Sequence, residues 1–111
     1  MKIYISTPIN GRKEKTPYER RKAAHRKAKA LKAYLADEYP DADIITPFDV
    51  VPFDDTDVTE TEALGRDITA LLECDTVFLD RGWTSSKGCN LEYRAAKIYG
   101  LRIIDGNNIE E

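Results

Sequence analysis

Apolar and polar positions alternate at the start of the chain. Lys2-Ile3-Tyr4-Ile5-Ser6 therefore predicts a β-strand with Ile3 and Ile5 on one face and Tyr4 on the other. Residues 7–15 are polar and hold Pro8, Asn10 and Gly11, a loop pattern. Thr16-Pro17-Tyr18-Glu19 reads as a helix start, with Thr16 as cap, Pro17 in the first turn and Glu19 completing a capping box. Ala24, Ala28, Leu31 and Leu35 recur at helical spacing, so the helix is expected to run to about residue 38, before Pro40. A short buried strand is predicted at 44–46, stopped by Pro47, and a loop with an acidic cluster at 48–57. Thr59-Glu60-Thr61-Glu62 opens a second helix with another capping box, its apolar face being Leu64, Ile68, Leu71 and Leu72. A third strand is expected at 76–80, and a third helix from Lys87 or Gly88 to residue 99, ended by Gly100 in a left-handed cap. Residues 101–104 form the fourth predicted strand and 105–111 a polar tail.

The order βαβαβαβ predicts one α/β domain spanning residues 1–111. Its architecture is a three-layer α/β/α sandwich of the flavodoxin-like, Rossmann-like kind. The four-stranded parallel sheet is expected in the order 2-1-3-4. In such a sheet ligands bind beyond the carboxyl ends of the strands, at the switch point between strands 1 and 3. The loops that meet there are residues 6–15 and 80–87.

Composition narrows the picture. At 33% charged and 41% apolar, the chain is globular rather than disordered, and 111 residues suffice for one modest core. No apolar run approaches the roughly 18 residues that span a bilayer. The first residues lack a signal-peptide pattern and the two cysteines make no disulfide framework, so a reduced, cytoplasmic protein is expected. The net charge of −3 divides unevenly: residues 12–32 hold ten Lys/Arg against two Glu (+8), leaving seven basic and eighteen acidic residues elsewhere (−11). Those basic residues are spread around the helix with no base-stacking aromatics among them. They read as a solvated helix face, not a nucleic-acid surface.

Candidate chemistry gathers in the second loop and the helix after it. At Thr84-Ser85-Ser86-Lys87-Gly88, free backbone N–H groups, hydroxyls and an ammonium can receive an anion. Equally, Ser85 or Ser86 can simply cap the helix. Glu92 borders a stripe of Leu91, Ala95 and Ile98 that is expected to be buried, and can point toward the strand ends or serve as a helix-dipole glutamate. Tyr4 can reach over the same site or be an ordinary strand tyrosine. Asp67, one position before Ile68, can approach from the second helix or stay on its surface. Trp83 can stack on a base or only cover the sheet edge. His25, the single histidine, reads as a surface residue, so neither a Ser-His-Asp device nor a histidine-rich metal site is expected. Cys74 and Cys89 form no Cys-x-x-Cys pair, which argues against structural zinc.

At these residues the chain resembles the nucleoside 2-deoxyribosyltransferase superfamily. The likeness is carried by Lys2-Ile3-Tyr4-Ile5-Ser6, by Arg66-Asp67-Ile68 through Cys74-Asp75, and by Gly88-Cys89-Asn90-Leu91-Glu92-Tyr93-Arg94-Ala95. The segment Gly82-Trp83-Thr84-Ser85-Ser86-Lys87-Gly88 is closer to a compact branch found in bacteria and their phages. The resemblance implies that Glu92 is a nucleophile, Tyr4 the group that orients it, and Asp67 the residue that handles the base's proton. It implies no metal and no cofactor. Where transferases carry an aspartate for the sugar's free 5′ hydroxyl, this chain has Ser86, which resembles the deoxynucleoside 5′-monophosphate N-glycosidases. An aspartate would repel a phosphate dianion, whereas a serine at a helix N-terminus would accept it. Ser85, Lys87, Gly88, Trp83 and the Asn10-Gly11-Arg12 turn are the other expected ligand-binding residues. The resemblance further implies a homodimer or larger assembly. A neighbouring subunit would complete the pocket, and Asn107 or Asn108 would be the candidate donor.

Overall fold

The computed structural model describes residues 1–9 and 16–108. The Asn10-Gly11-Arg12 turn lies outside the described residues. Four parallel strands form one sheet: β1 (Lys2–Ser6), β2 (Asp43–Ile45), β3 (Thr76–Leu79) and β4 (Arg102–Asp105), in the order β2-β1-β3-β4. Four helices accompany them: α1 (Pro17–Glu38), α2 (Pro47–Val50), α3 (Glu60–Leu72) and α4 (Lys87–Ile98). The three-layer α/β arrangement and the strand order are those the element pattern predicts.

The two faces of β1 divide the core. Ile3 and Ile5 pack with Leu35, Ile44 and Phe78 under α1. Tyr4 joins Leu71, Val77, Leu79, Cys89 and Ala96 under α3 and α4. Period-two alternation in a strand buried on both faces makes this unavoidable. A third cluster, Ala24, Ala28 and Phe48, seats α2 against α1.

Local chemistry sets the helix ends. The Thr16 hydroxyl accepts from Glu19 N at 3.1 Å and donates to the Glu19 carboxylate, which caps α1. Thr59 caps α3 through Glu62 N in the same way. The full capping box occurs where a loop was expected. The Thr46 side chain receives Phe48 N, and Asp49 receives Thr46 N at 2.8 Å, which turns Pro47–Val50 into a short helix. Gly100, at φ 74°, ends α4 in the left-handed conformation.

Two elements of the sheet's carboxyl edge were not evident from the pattern. The loop after β3 contains a 3₁₀ turn, Trp83–Ser85, entered through Gly82 at φ 86°. Residues Gly106–Asn108, expected as part of a polar tail, form a second 3₁₀ turn. The second fastens the first: Asn107 Oδ1 accepts from Gly82 N at 2.9 Å, and Asp105 Oδ1 accepts from Trp83 Nε1 at 2.9 Å. A Cβ on Gly106 would run into the Leu79 carbonyl oxygen and lie 3.1 Å from Arg81 N, so only glycine fits this crossing.

Candidate functional site

The site is built where β1, α3 and α4 meet. Tyr4 and Ser6, two residues apart, project from β1 on the same side of the sheet. Each is fully buried. On α4 the buried positions are Cys89, Glu92 and Ala96, at i, i+3 and i+7. Leu91 and Ile98, expected in the buried stripe, are 48% and 78% exposed. The correction changes the meaning of Glu92, which belongs to the buried face itself and is 6% exposed. A helix that begins at Ser86 turns Cys89 and Glu92 onto the sheet whatever the hydrophobicity of their neighbours. The apolar spacing misread its phase.

Glu92 is held at one oxygen only. Ser6 Oγ donates to Glu92 Oε1 at 2.9 Å, while Oε2 is buried without a hydrogen-bond partner. The Tyr4 hydroxyl is likewise buried and unpartnered, and so is Asp67 Oδ1. The Tyr4–Glu92 contact falls outside hydrogen-bond geometry, yet the phenol lies near enough to favour the carboxylate as a donor. Three orphaned polar atoms on neighbouring groups make a costly arrangement unless a ligand or water answers them.

Burial dominates the electrostatics. Desolvation pushes the Glu92 carboxyl up to about 7, opposed by the Tyr4 and Ser6 hydroxyls. Desolvation, then the charge of Glu92, pushes Asp67 up to about 8. Tyr4 is raised above the ordinary phenol value by burial first, and then by the two carboxylates. Near neutrality the arrangement therefore favours an ionised Glu92 beside a protonated Asp67. The environments separate an acid from a base.

Two concavities flank this cluster. A cleft of about 640 Å³ lies between the start of α1, α2, residues 51–59 and α3, with Asp67 on its wall beside Phe48, Phe53, Arg20 and Arg21. A shallower basin of about 470 Å³ is lined by Thr84, Ser85, Ser86, Lys87, Asn90 and Arg94. Glu92 is on the wall of neither. It connects to the cleft through Asp67, and to the basin through Ser6, Cys89 and Ser86. Burial raises the pKa of the Cys89 thiol, and hydrogen bonding to Ser6 and Ser86 opposes that rise.

The expected ligand residues divide between these surroundings. Ser86 is the cap of α4, its Oγ receiving Cys89 N at 3.3 Å, and Ser85 Oγ donates to the Gly82 carbonyl. Lys87 is exposed and Gly88 half-buried. Trp83 covers the sheet edge, 7% exposed, with its ring 4.8 Å from that of Tyr93. His25, expected on the surface, is half-buried: it stacks on Phe53 at 4.8 Å and meets Phe48 edge-on, with Nδ1 buried and unpartnered. Asn107 is committed to Gly82 of its own chain.

Sequence reasoning passed over Ser6, Thr7, Asp80 and Lys27. Asp80 closes β3, 3% exposed, accepting Thr7 Oγ1 at 2.8 Å and pairing with Lys27 Nζ at 3.0 Å. The available signal was position: small hydroxyl residues and a carboxylate at the carboxyl ends of adjacent strands. Among the described residues no cluster of His, Cys, Asp or Glu is arranged to hold a metal ion.

A parallel α/β domain with a buried glutamate, Glu92, beside a half-buried aspartate, Asp67, is the class that fold and site define. The chain belongs to the DUF4406 family, a domain of unknown function, whose family model matches residues 1–105 and so takes in every strand and α-helix described above. No curated protein matches the chain.

Proposed function

We propose that this domain cleaves or transfers the N-glycosidic bond of a 2′-deoxynucleoside 5′-monophosphate or nucleoside, as the resemblance to the nucleoside 2-deoxyribosyltransferases implies. The observation that carries the reading is the Glu92 carboxylate, fixed at Oε1, unpartnered at Oε2, and adjoined by Tyr4 and Asp67. Glu92 Oε2 attacks C1′ as the C1′–N bond breaks. The bond's electron pair passes to the base, which takes the Asp67 proton. A glycosyl ester of Glu92 remains. Water, or a second base, then attacks C1′, giving its proton to Asp67 and expelling the Glu92 carboxylate, with net retention. The basin of Ser85, Ser86 and Lys87 suits a phosphate, and the cleft beside Asp67 suits the base. Assembly as a homodimer or larger belongs to the same reading.

The test is incubation with each deoxynucleoside 5′-monophosphate and chromatography for free base. Release by the wild type and its loss in Glu92→Ala are expected. No base from any of them overturns catalysis.

One observation favours a second reading, a nucleotide-sensing module without turnover: Glu92 is 6% exposed and lines neither concavity. In that case nucleotide binding is weakened by Ser86→Asp and indifferent to Glu92→Ala.

A further inference from the structure

We infer that Ser6 is the positioning residue of the site: its hydroxyl pins Glu92 Oε1, so that Oε2 alone is presented to a ligand. The inference rests on Glu92 acting as the reading above has it, and it adds a residue that neither the motifs nor the resemblance assigns. Ser6 is fully buried at the last position of β1, its Oγ 2.9 Å from Glu92 Oε1. Its backbone is itself fixed, because Asp80 N donates to Ser6 O at 2.9 Å, and the next residue, Thr7, is tied to the Asp80 carboxylate. A carboxylate with both oxygens free would rotate about its terminal torsion, whose wells are broad. With Oε1 anchored, rotation is stopped and the two oxygens become unequal. The Ser6 hydroxyl also meets the Cys89 thiol, which in turn adjoins Ser86, so the anchor continues to the cap of α4. The groups that face Glu92 are Tyr4 from β1, Asp67 from α3 and Cys89 on α4 itself. Among the described residues, it is Ser6 rather than any of these that closes a hydrogen bond of standard geometry to the Glu92 carboxylate.

The experiment is a carboxyl ¹³C NMR titration of glutamate-labelled protein, with the Glu92 signal assigned by its absence in Glu92→Gln. In Ser6→Ala the Glu92 midpoint is expected to move up by about one pH unit, because a donor to the ionised form is gone. In Ser6→Thr, which keeps the hydroxyl, it is expected to return toward the wild-type value. Should Ser6→Ala fail to fold, Ser6→Cys, with a weaker donor, is titrated instead and is expected to move the midpoint upward. An unchanged or lowered midpoint in the folded variant overturns the inference. The titration reads Ser6 whether or not the protein releases a base. Where base is released, Ser6→Ala should lower kcat with little change in KM, and Ser6→Thr should restore it. A loss confined to KM would equally overturn the inference.

Discussion

At the scale of single residues, the protonation of buried Glu92 and half-buried Asp67 decides what the site can do. With Glu92 raised to about 7 and Asp67 to about 8, the form needed for glycosyl transfer, Glu92 ionised and Asp67 protonated, prevails only in a narrow window. The proposed activity should therefore follow a bell in pH with its maximum between those two values, read as kcat/KM for base release. Asp67→Asn should remove the alkaline limb and lower the rate, since the departing base loses its proton donor. A flat profile across this range would separate the two acids from the chemistry. Tyr4, Glu92 and Asp67 could be picked from the sequence because their order and spacing resemble a known pattern. Ser6 could not, since a serine ending a strand has no signature until the helix above it is phased. That phase was hidden as well: Leu91 and Ile98 are the larger apolar residues, yet Cys89, Glu92 and Ala96 are the ones that face the sheet.

At the scale of elements, the loop after β3 holds its shape through contacts made from outside it. Gly82 and Trp83 are tied to Asn107 and Asp105, and Asn90 Nδ2 donates to the Thr84 and Ser86 carbonyls at 2.9 and 2.7 Å. Gly106 is the tightest point. Gly106→Ala would drive a methyl group into the Leu79 carbonyl and should cost about 2–4 kcal/mol of stability. Thermal unfolding measures the loss. The emission of Trp83, the only tryptophan, should shift to the red as its edge of the sheet loosens. Stability equal to wild type would mean that the crossing relaxes without strain. The regular elements were legible because caps and apolar spacing are local, as with the Thr16 cap and the Gly100 stop. The 3₁₀ turns were not, because the ties between them, Gly82 to Asn107 and Trp83 to Asp105, are brought near only by the fold; the short helix α2 was missed although its Thr46–Asp49 capping box is local.

At the scale of the whole molecule, the same two acids set a slope on stability. Both folded-state values lie above the ordinary carboxylate range, which the unfolded chain retains. Between the unfolded and folded values the native protein holds protons that the unfolded chain has released, so their contribution to stability falls as pH rises. It is unaffected below about pH 4, where the groups are neutral in both states, and reaches its full penalty once pH exceeds the folded values. Glu92→Gln should thus match the wild type near pH 4 and exceed it at pH 9, by about 1–3 kcal/mol in urea unfolding. A variant less stable than wild type at pH 9 would show that the buried charge is compensated. The charge asymmetry of the chain is partly met within the fold, where Lys27 pairs with Asp80 and Lys32 with Asp49. Among the described residues no helix is long and apolar enough to cross a membrane.

The dependence of the β3 loop on Asp105 and Asn107 also bears on the order in which the protein takes shape during synthesis. Residues that form the floor of the site, from Tyr4 through Asp67 to Glu92, all precede β4. A nascent chain that ends short of Asp105 has no acceptor for the Trp83 indole, and one short of Asn107 has none for the Gly82 amide. The carboxylates can thus be brought together before the loop beside them is secured. The loop is secured only after Asp105 and Asn107 have been added to the chain.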